Sequence, residues 1–116
     1  MALKLDISPS YRWPVSFDVA GDGPENPETV SFNATYQRIS KTRHREILDD
    51  LGSQSPTITD ADIRAEVWIG WDVPGADGET APFDDKHKAA LFEYLGAEEA
   101  VVMGWMESLT AGARKN

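Results

Sequence analysis

Few side chains in this sequence could do chemistry. His44 and His87 are the only histidines. A helical zinc site of the HExxH kind needs two histidines one turn apart. Neither stands in that motif or in any other histidine–carboxylate spacing that binds zinc, so both read as surface helix residues. Acid pairs occur at Asp49-Asp50, Asp84-Asp85 and Glu98-Glu99. Acid–base catalysis needs carboxylates within reach of one reacting group, and adjacent helical residues point apart. The last two pairs suit helix N-termini, where negative charge meets the positive end of the dipole. Asp72, Asp77 and Glu79 with Gly75 and Gly78 have the composition of a calcium loop but not the ligand spacing of an EF-hand. There is no GxGxxG, GxxxxGK[ST] or GxSxG, and no cysteine. Disulfides, thiolate metal sites and a cysteine nucleophile are thereby excluded. No catalytic residue, metal site or cofactor is expected.

The acidic loop belongs to the most distinctive stretch, Ile63 to Asp84. Ile63, Val67 and Trp71 fall on one line of an expected helix, and Trp68 adjoins that line. Residues three apart on a helix are neighbours, so the two indoles are read as sharing a face. Pro74-Gly75 and Asp77-Gly78 are turn formers, Pro presetting φ and Gly accepting positive φ. Four tryptophans are many for 116 residues, and tryptophan is enriched at binding hot spots. Trp68 flanks the apolar line rather than continuing it, so it is expected to stand clear of the core.

The elements that must position this stretch follow from periodicity. Tyr11, Trp13, Val15, Phe17 and Val19 alternate with Arg12, Ser16 and Asp18, the pattern of a half-buried strand. Pro14 lacks a ladder donor, so this strand is expected to sit at an edge or to begin near Pro14. After a Gly/Pro loop, Val30, Phe32, Ala34 and Tyr36 alternate in the same way, completing an antiparallel hairpin. A hairpin alone is marginal in water, so helices must cover it. Ser40 caps a helix through Asp50 or Leu51 with Gly52 as its stop, and Ile47, Leu48 and Leu51 form its stripe. Thr59 caps the helix that runs to Trp71. Asp84 caps one from Asp85 to Leu95, with Leu91, Tyr94 and Leu95 inward and Phe83 as a staple-like contact. The last helix, Ala97 to Ala111, buries Val101, Val102, Trp105, Met106 and Leu109. The expected fold is α+β: an N-terminal antiparallel β-hairpin packed on about four α-helices. Residues 1–116 form one domain, with a flexible lead-in over 1–10 and a fraying tail over 112–116.

The totals limit the partners. A net charge of −9 repels nucleic-acid backbones and anionic membranes. No apolar run approaches the ~18 residues of a membrane span, and no signal peptide is visible. A cytoplasmic location is expected. The basic cluster Arg38, Lys41, Arg43 and Arg45 stands against the acidic central loop, and opposite-sign patches suit self-association or a charged protein partner.

The order of features also carries a resemblance. The hairpin ends in Phe32-Asn33-Ala34-Thr35-Tyr36-Gln37-Arg38-Ile39, an FxAxYxR pattern. After a helix comes Val67-Trp68-Ile69-Gly70-Trp71, then Asp77-Gly78-Glu79 and Pro82-Phe83-Asp84, then two helices. This resembles the small tail assembly chaperones of long-tailed bacteriophages and of prophages, over roughly Val15 to Leu109. The chain departs from the family pattern at Trp68, where an aliphatic is expected, and at the basic run Lys41 to Arg45.

The resemblance implies a non-enzymatic protein. It would bind the tape-measure protein, help recruit tail-tube subunits and stay out of the finished particle. The partner-binding residues are then expected to be Trp68, Trp71, Asp72, Asp77, Glu79 and Phe83, an aromatic grip fringed by acid. Two other classes compete on the sequence. One is a structural tail or head-completion protein of the virion. The other is an acidic DNA mimic, for which the acids are too scattered along the chain.

Overall fold

The computed structural model describes residues 7–111. Strand β1, Ser10–Val19, pairs antiparallel with β2, Glu28–Gln37, and β2 pairs antiparallel with a short third strand, β3, Trp68–Trp71. The sheet order is β1-β2-β3. Four helices complete the fold: α1 Lys41–Leu51, α2 Asp60–Val67, α3 Asp85–Phe92 and α4 Ala97–Ala111. The α+β class and the N-terminal hairpin are as the alternation dictates.

One face of the sheet is covered and the other is wet, a division that antiparallel sheets permit. Val15, Phe32, Ala34 and Tyr36 are buried toward the helices, while Arg12, Ser16, Asp18 and Ser31 face solvent. Helix α4 lies across the covered face. Its Gly104 allows close approach, since a Cβ there would come within 2.9 Å of Val15 Cγ2. Beside it the Tyr36 hydroxyl donates to the Val101 carbonyl at 2.6 Å. Burial pushes the Tyr36 pKa far up, with smaller contributions from Tyr11 and Glu107, so the phenol stays a donor.

The helix starts follow from local chemistry. Ser40 Oγ accepts from Arg43 N–H, and Thr59 forms a reciprocal capping box with Asp62. Asp84 accepts from His87 N–H.

Several expectations are corrected. The helix from Thr59 ends at Val67 rather than Trp71, and Trp68–Trp71 is a strand. Aromatic and β-branched residues there suit a pleated surface, and β2 offers them a ladder. Helix α3 stops at Phe92, not Leu95. Glu93 N–H bonds back to Ala90 and Tyr94 N–H to Leu91, a tightened last turn, and Gly96 at φ 93° redirects the chain into α4. Tyr94 and Leu95 therefore point outward, 54% and 91% exposed, and Phe92 turns inward instead. Leu48, expected in the α1 stripe, is also exposed, leaving Ile47 as that helix's buried residue. Of the expected flexible lead-in, Met1–Asp6 lies outside the described residues, as does the 112–116 tail. Ser8 and Pro9 are tied down: their carbonyls accept from the Arg38 guanidinium and the Arg38 N–H.

Replacing Tyr36 by Phe removes the one hydrogen bond joining the sheet's central strand to α4 through a buried side chain. The expected cost is about 1–2 kcal/mol, read as a lower urea midpoint with an unchanged slope.

Candidate functional site

The six residues expected to bind a partner separate into three groups. Trp68, Trp71 and Phe83 meet in one aromatic cluster. The Trp68 ring lies 5.7 Å from Trp71, 4.9 Å from Phe83 and 5.7 Å from Phe92. Asp72 sits at the end of β3. Asp77 and Glu79 are exposed on the loop that follows.

A bulge explains the first group. Residues three apart in a regular strand face opposite sides. Here Gly70 pairs with Thr35 but Trp68 pairs with Tyr36, so Ile69 is an extra residue. The slip returns both indoles to the covered face and leaves Ile69 outside. The expectation that Trp68 stands clear of the core is overturned: it is 5% exposed and Trp71 is 8% exposed. Trp105 is buried as well, and Trp13 is half-buried. Phe83 does act at the start of α3, but its partner there is the Lys88 ammonium, 4.6 Å from the ring centroid.

Trp71 also holds the loop. Its indole N–H donates to the Ala81 carbonyl at 2.8 Å, and Ala81 N–H donates to Val73 at 2.7 Å. Pro74 bridges to Thr80, and Gly78 takes φ 86° at the tip. The loop is therefore a small pinned hairpin. The Trp68 indole N–H, in contrast, is buried with no hydrogen-bond partner.

Asp72 is occupied within the fold. Its carboxylate accepts from Asn33 N–H at 2.7 Å, from Asn33 Nδ2 at 2.9 Å and from the Arg12 guanidinium at 2.9 Å. Burial pushes its pKa up, but these donors outweigh burial and hold it below the usual carboxylate range. The basic cluster is partly consumed too. Arg43 pairs with Glu66 at 2.8 Å and Glu46 at 3.2 Å, and Arg38 lies over the Tyr11 ring.

The open surface lies beside these groups. A groove of about 600 Å³ runs between β2, the pinned loop and α3. Phe32, Trp71, Ala81 and Leu91 form its buried floor, and Val30, Val73 and Tyr94 its walls. Asp77 and Glu79 are exposed on the loop beyond its lining residue Gly75, and Glu28 precedes the lining residue Thr29 in the chain. His87 on the α3 side is engaged by Asp84, Nδ1 to Oδ1 at 2.6 Å. Of the six expected residues Trp71 lines this groove, and Trp68, Asp72, Asp77, Glu79 and Phe83 do not. Sequence reasoning missed Val30, Phe32, Val73, Leu91 and Tyr94 as one surface. Their alternation and helical spacing marked them as apolar, but only the tertiary arrangement brings them together. Among the described residues no cluster of His, Asp and Glu could hold a metal ion, and no helix is long and apolar enough to cross a membrane.

The comparisons with known proteins add no relative: no family model, no curated protein and no solved structure matches the chain.

Two outcomes follow. Trp68→Ala should cost about 3–5 kcal/mol in urea denaturation, because it empties the centre of the aromatic cluster. Trp68→Phe should cost less, because it gives up no hydrogen bond. Asp50, Asp72, Asp84 and Glu66 all have lowered pKa values in the folded chain. Their contribution is complete above the unfolded carboxylate pKa of about 4 and disappears as pH falls through the folded values. Urea midpoints should thus be level near neutrality and drop in acid. Asp72→Asn should start less stable and lose less on acidification.

Proposed function

We propose that this protein is a non-catalytic assembly chaperone that holds an apolar segment of another polypeptide in the groove between β2, the pinned loop and α3. The observation that carries the reading is the groove itself. A pre-formed apolar floor lies open beside an acid-bearing loop on a chain of net charge −9. Open apolar ground of this kind marks interaction sites, and high net charge keeps such a protein soluble while the groove is empty.

The resemblance to tail assembly chaperones gives the reading its biological form. The client is the tape-measure protein of a long-tailed phage or prophage, and the chaperone also helps recruit tail-tube subunits. It works in the bacterial cytoplasm and is left out of the finished particle. Trp68 supports the groove from below rather than touching the client. Trp71, Phe83 and the pinned hairpin shape it, while Asp77 and Glu79 face the client's positive charge. Asp72 acts through the fold.

Tyr94→Glu tests this. The side chain is exposed on the groove wall, so the thermal transition should move little, whereas pull-down of a tape-measure segment should fall about tenfold or more. Capture equal to wild type would remove the groove from the function. Finding the protein as a stoichiometric component of purified particles would favour a virion structural role instead.

A further inference from the structure

The groove borders a strand edge that has no partner. Strand β3 pairs with β2 only at Ala34, Thr35 and Tyr36. Immediately beyond, Asn33 turns its backbone to the same side, where its N–H donates to the Asp72 carboxylate and its carbonyl accepts from Asp72 N–H at 3.1 Å. In an antiparallel strand alternate residues turn their backbone groups the same way. Thr29 and Ser31 must therefore aim N–H and C=O toward the side that β3 no longer occupies. Among the described residues no backbone group pairs with them there. Both residues line the groove.

The other outer edge of the sheet is blunted. On β1 the residues in register with Thr29, Ser31 and Asn33 are Asp18, Ser16 and Pro14. Pro14 has no donor to offer, and Asp18 and Arg12 place charge along the same edge, devices that discourage strand addition. The β2 edge carries neither proline nor charge at Thr29 or Ser31. It presents a ladder template directly beside apolar pockets.

Resting on the groove reading above, we infer that the occupant binds as an extended strand added to the β2 edge at Thr29–Ser31. Its backbone bonds to Thr29 and Ser31. Its alternate side chains are apolar and drop toward Phe32, Val73 and Leu91. The remaining side chains point to the wet face, where Thr29, Ser31 and, one strand further, Asp18 stand, and are basic. Main-chain bonds then supply affinity, and the pockets supply selectivity. A second copy of this chain is a poor occupant, because two chains of net charge −9 repel each other.

The test uses a capped peptide of about six residues alternating valine and lysine, long enough for one typical strand. Its controls are the same peptide with N-methylated backbone amides and a capped amphipathic leucine–lysine helix. Binding is followed by amide NMR of the full chain and of Ser31→Ala and Ser31→Pro. Proline at 31 removes only the outward N–H, so the hairpin should keep its fold. The expected result is binding of the extended peptide, slowed exchange at the Thr29 and Ser31 amides, and no loss in Ser31→Ala. N-methylation and Ser31→Pro should each weaken binding about tenfold or more. Equal binding of the N-methylated peptide would overturn strand addition while leaving the groove reading intact. Preference for the helical peptide in the groove would do the same. Failure of every peptide to perturb the groove would overturn both. If Ser31→Pro unfolds, the N-methylated peptide alone decides.

Discussion

The Asp72 carboxylate ends the sheet. It takes the Asn33 N–H that a longer third strand would have used, and it is held in turn by Asn33 Nδ2 and Arg12. Because the ladder stops there, the chain turns away into the pinned loop, and the outer part of β2 is left beside a gap rather than a neighbour. Everything proposed about binding depends on that early stop. It is fixed by hydrogen bonds to a charged acceptor, which are stronger than neutral ones. Two further features keep the gap open and shaped. The bulge at Ile69 brings both indoles to the covered face, and the Trp71 N–H fastens the loop at Ala81.

Much of the scaffold was legible in the sequence because its signals are local. Period-two alternation identified β1 and β2 and the faces they bury. Side-chain oxygens at Ser40, Thr59 and Asp84 marked three helix starts. The apolar spacing of Val101, Val102, Trp105, Met106 and Leu109 described α4 correctly. What escaped has one physical cause, a short-range pattern with two solutions. Trp68 and Trp71 are three apart, which fits one face of a helix and equally fits one face of a bulged strand. Only pairing with Ala34 to Tyr36, more than thirty positions back in the chain, selects the strand. Leu91, Tyr94 and Leu95 likewise continue a helical stripe, but the tight turn into Gly96 ends it early and reverses their exposure.

The candidate site was half legible. The pinned loop and its acids were read from Pro74, Gly75, Asp77 and Gly78. The aromatic grip was only partly placed: Trp71 lies on the groove floor, whereas Trp68 is packed into the core behind it. The apolar ground that is open comes from β2, α3 and the loop together, and an unpaired strand edge leaves no mark in a single sequence. A surplus of tryptophan is thus ambiguous in a small domain. Large rings are also the quickest way to fill a thin core between a three-stranded sheet and short helices.

An open strand edge is a liability that native proteins ordinarily blunt. Here β1 is blunted and the groove side of β2 is not, and acidic residues flank the exception. The central claim is that Thr29 and Ser31 point their amides into the groove unpaired. Amide hydrogen exchange of the free protein, resolved by residue along β2, measures this most directly. Val30, Phe32 and Asn33 should be protected, the first two by β1 and the third by Asp72, while Thr29 and Ser31 exchange at rates near those of loop amides. Uniform protection from Thr29 through Asn33 would mean that the edge is already covered, and the account would fail.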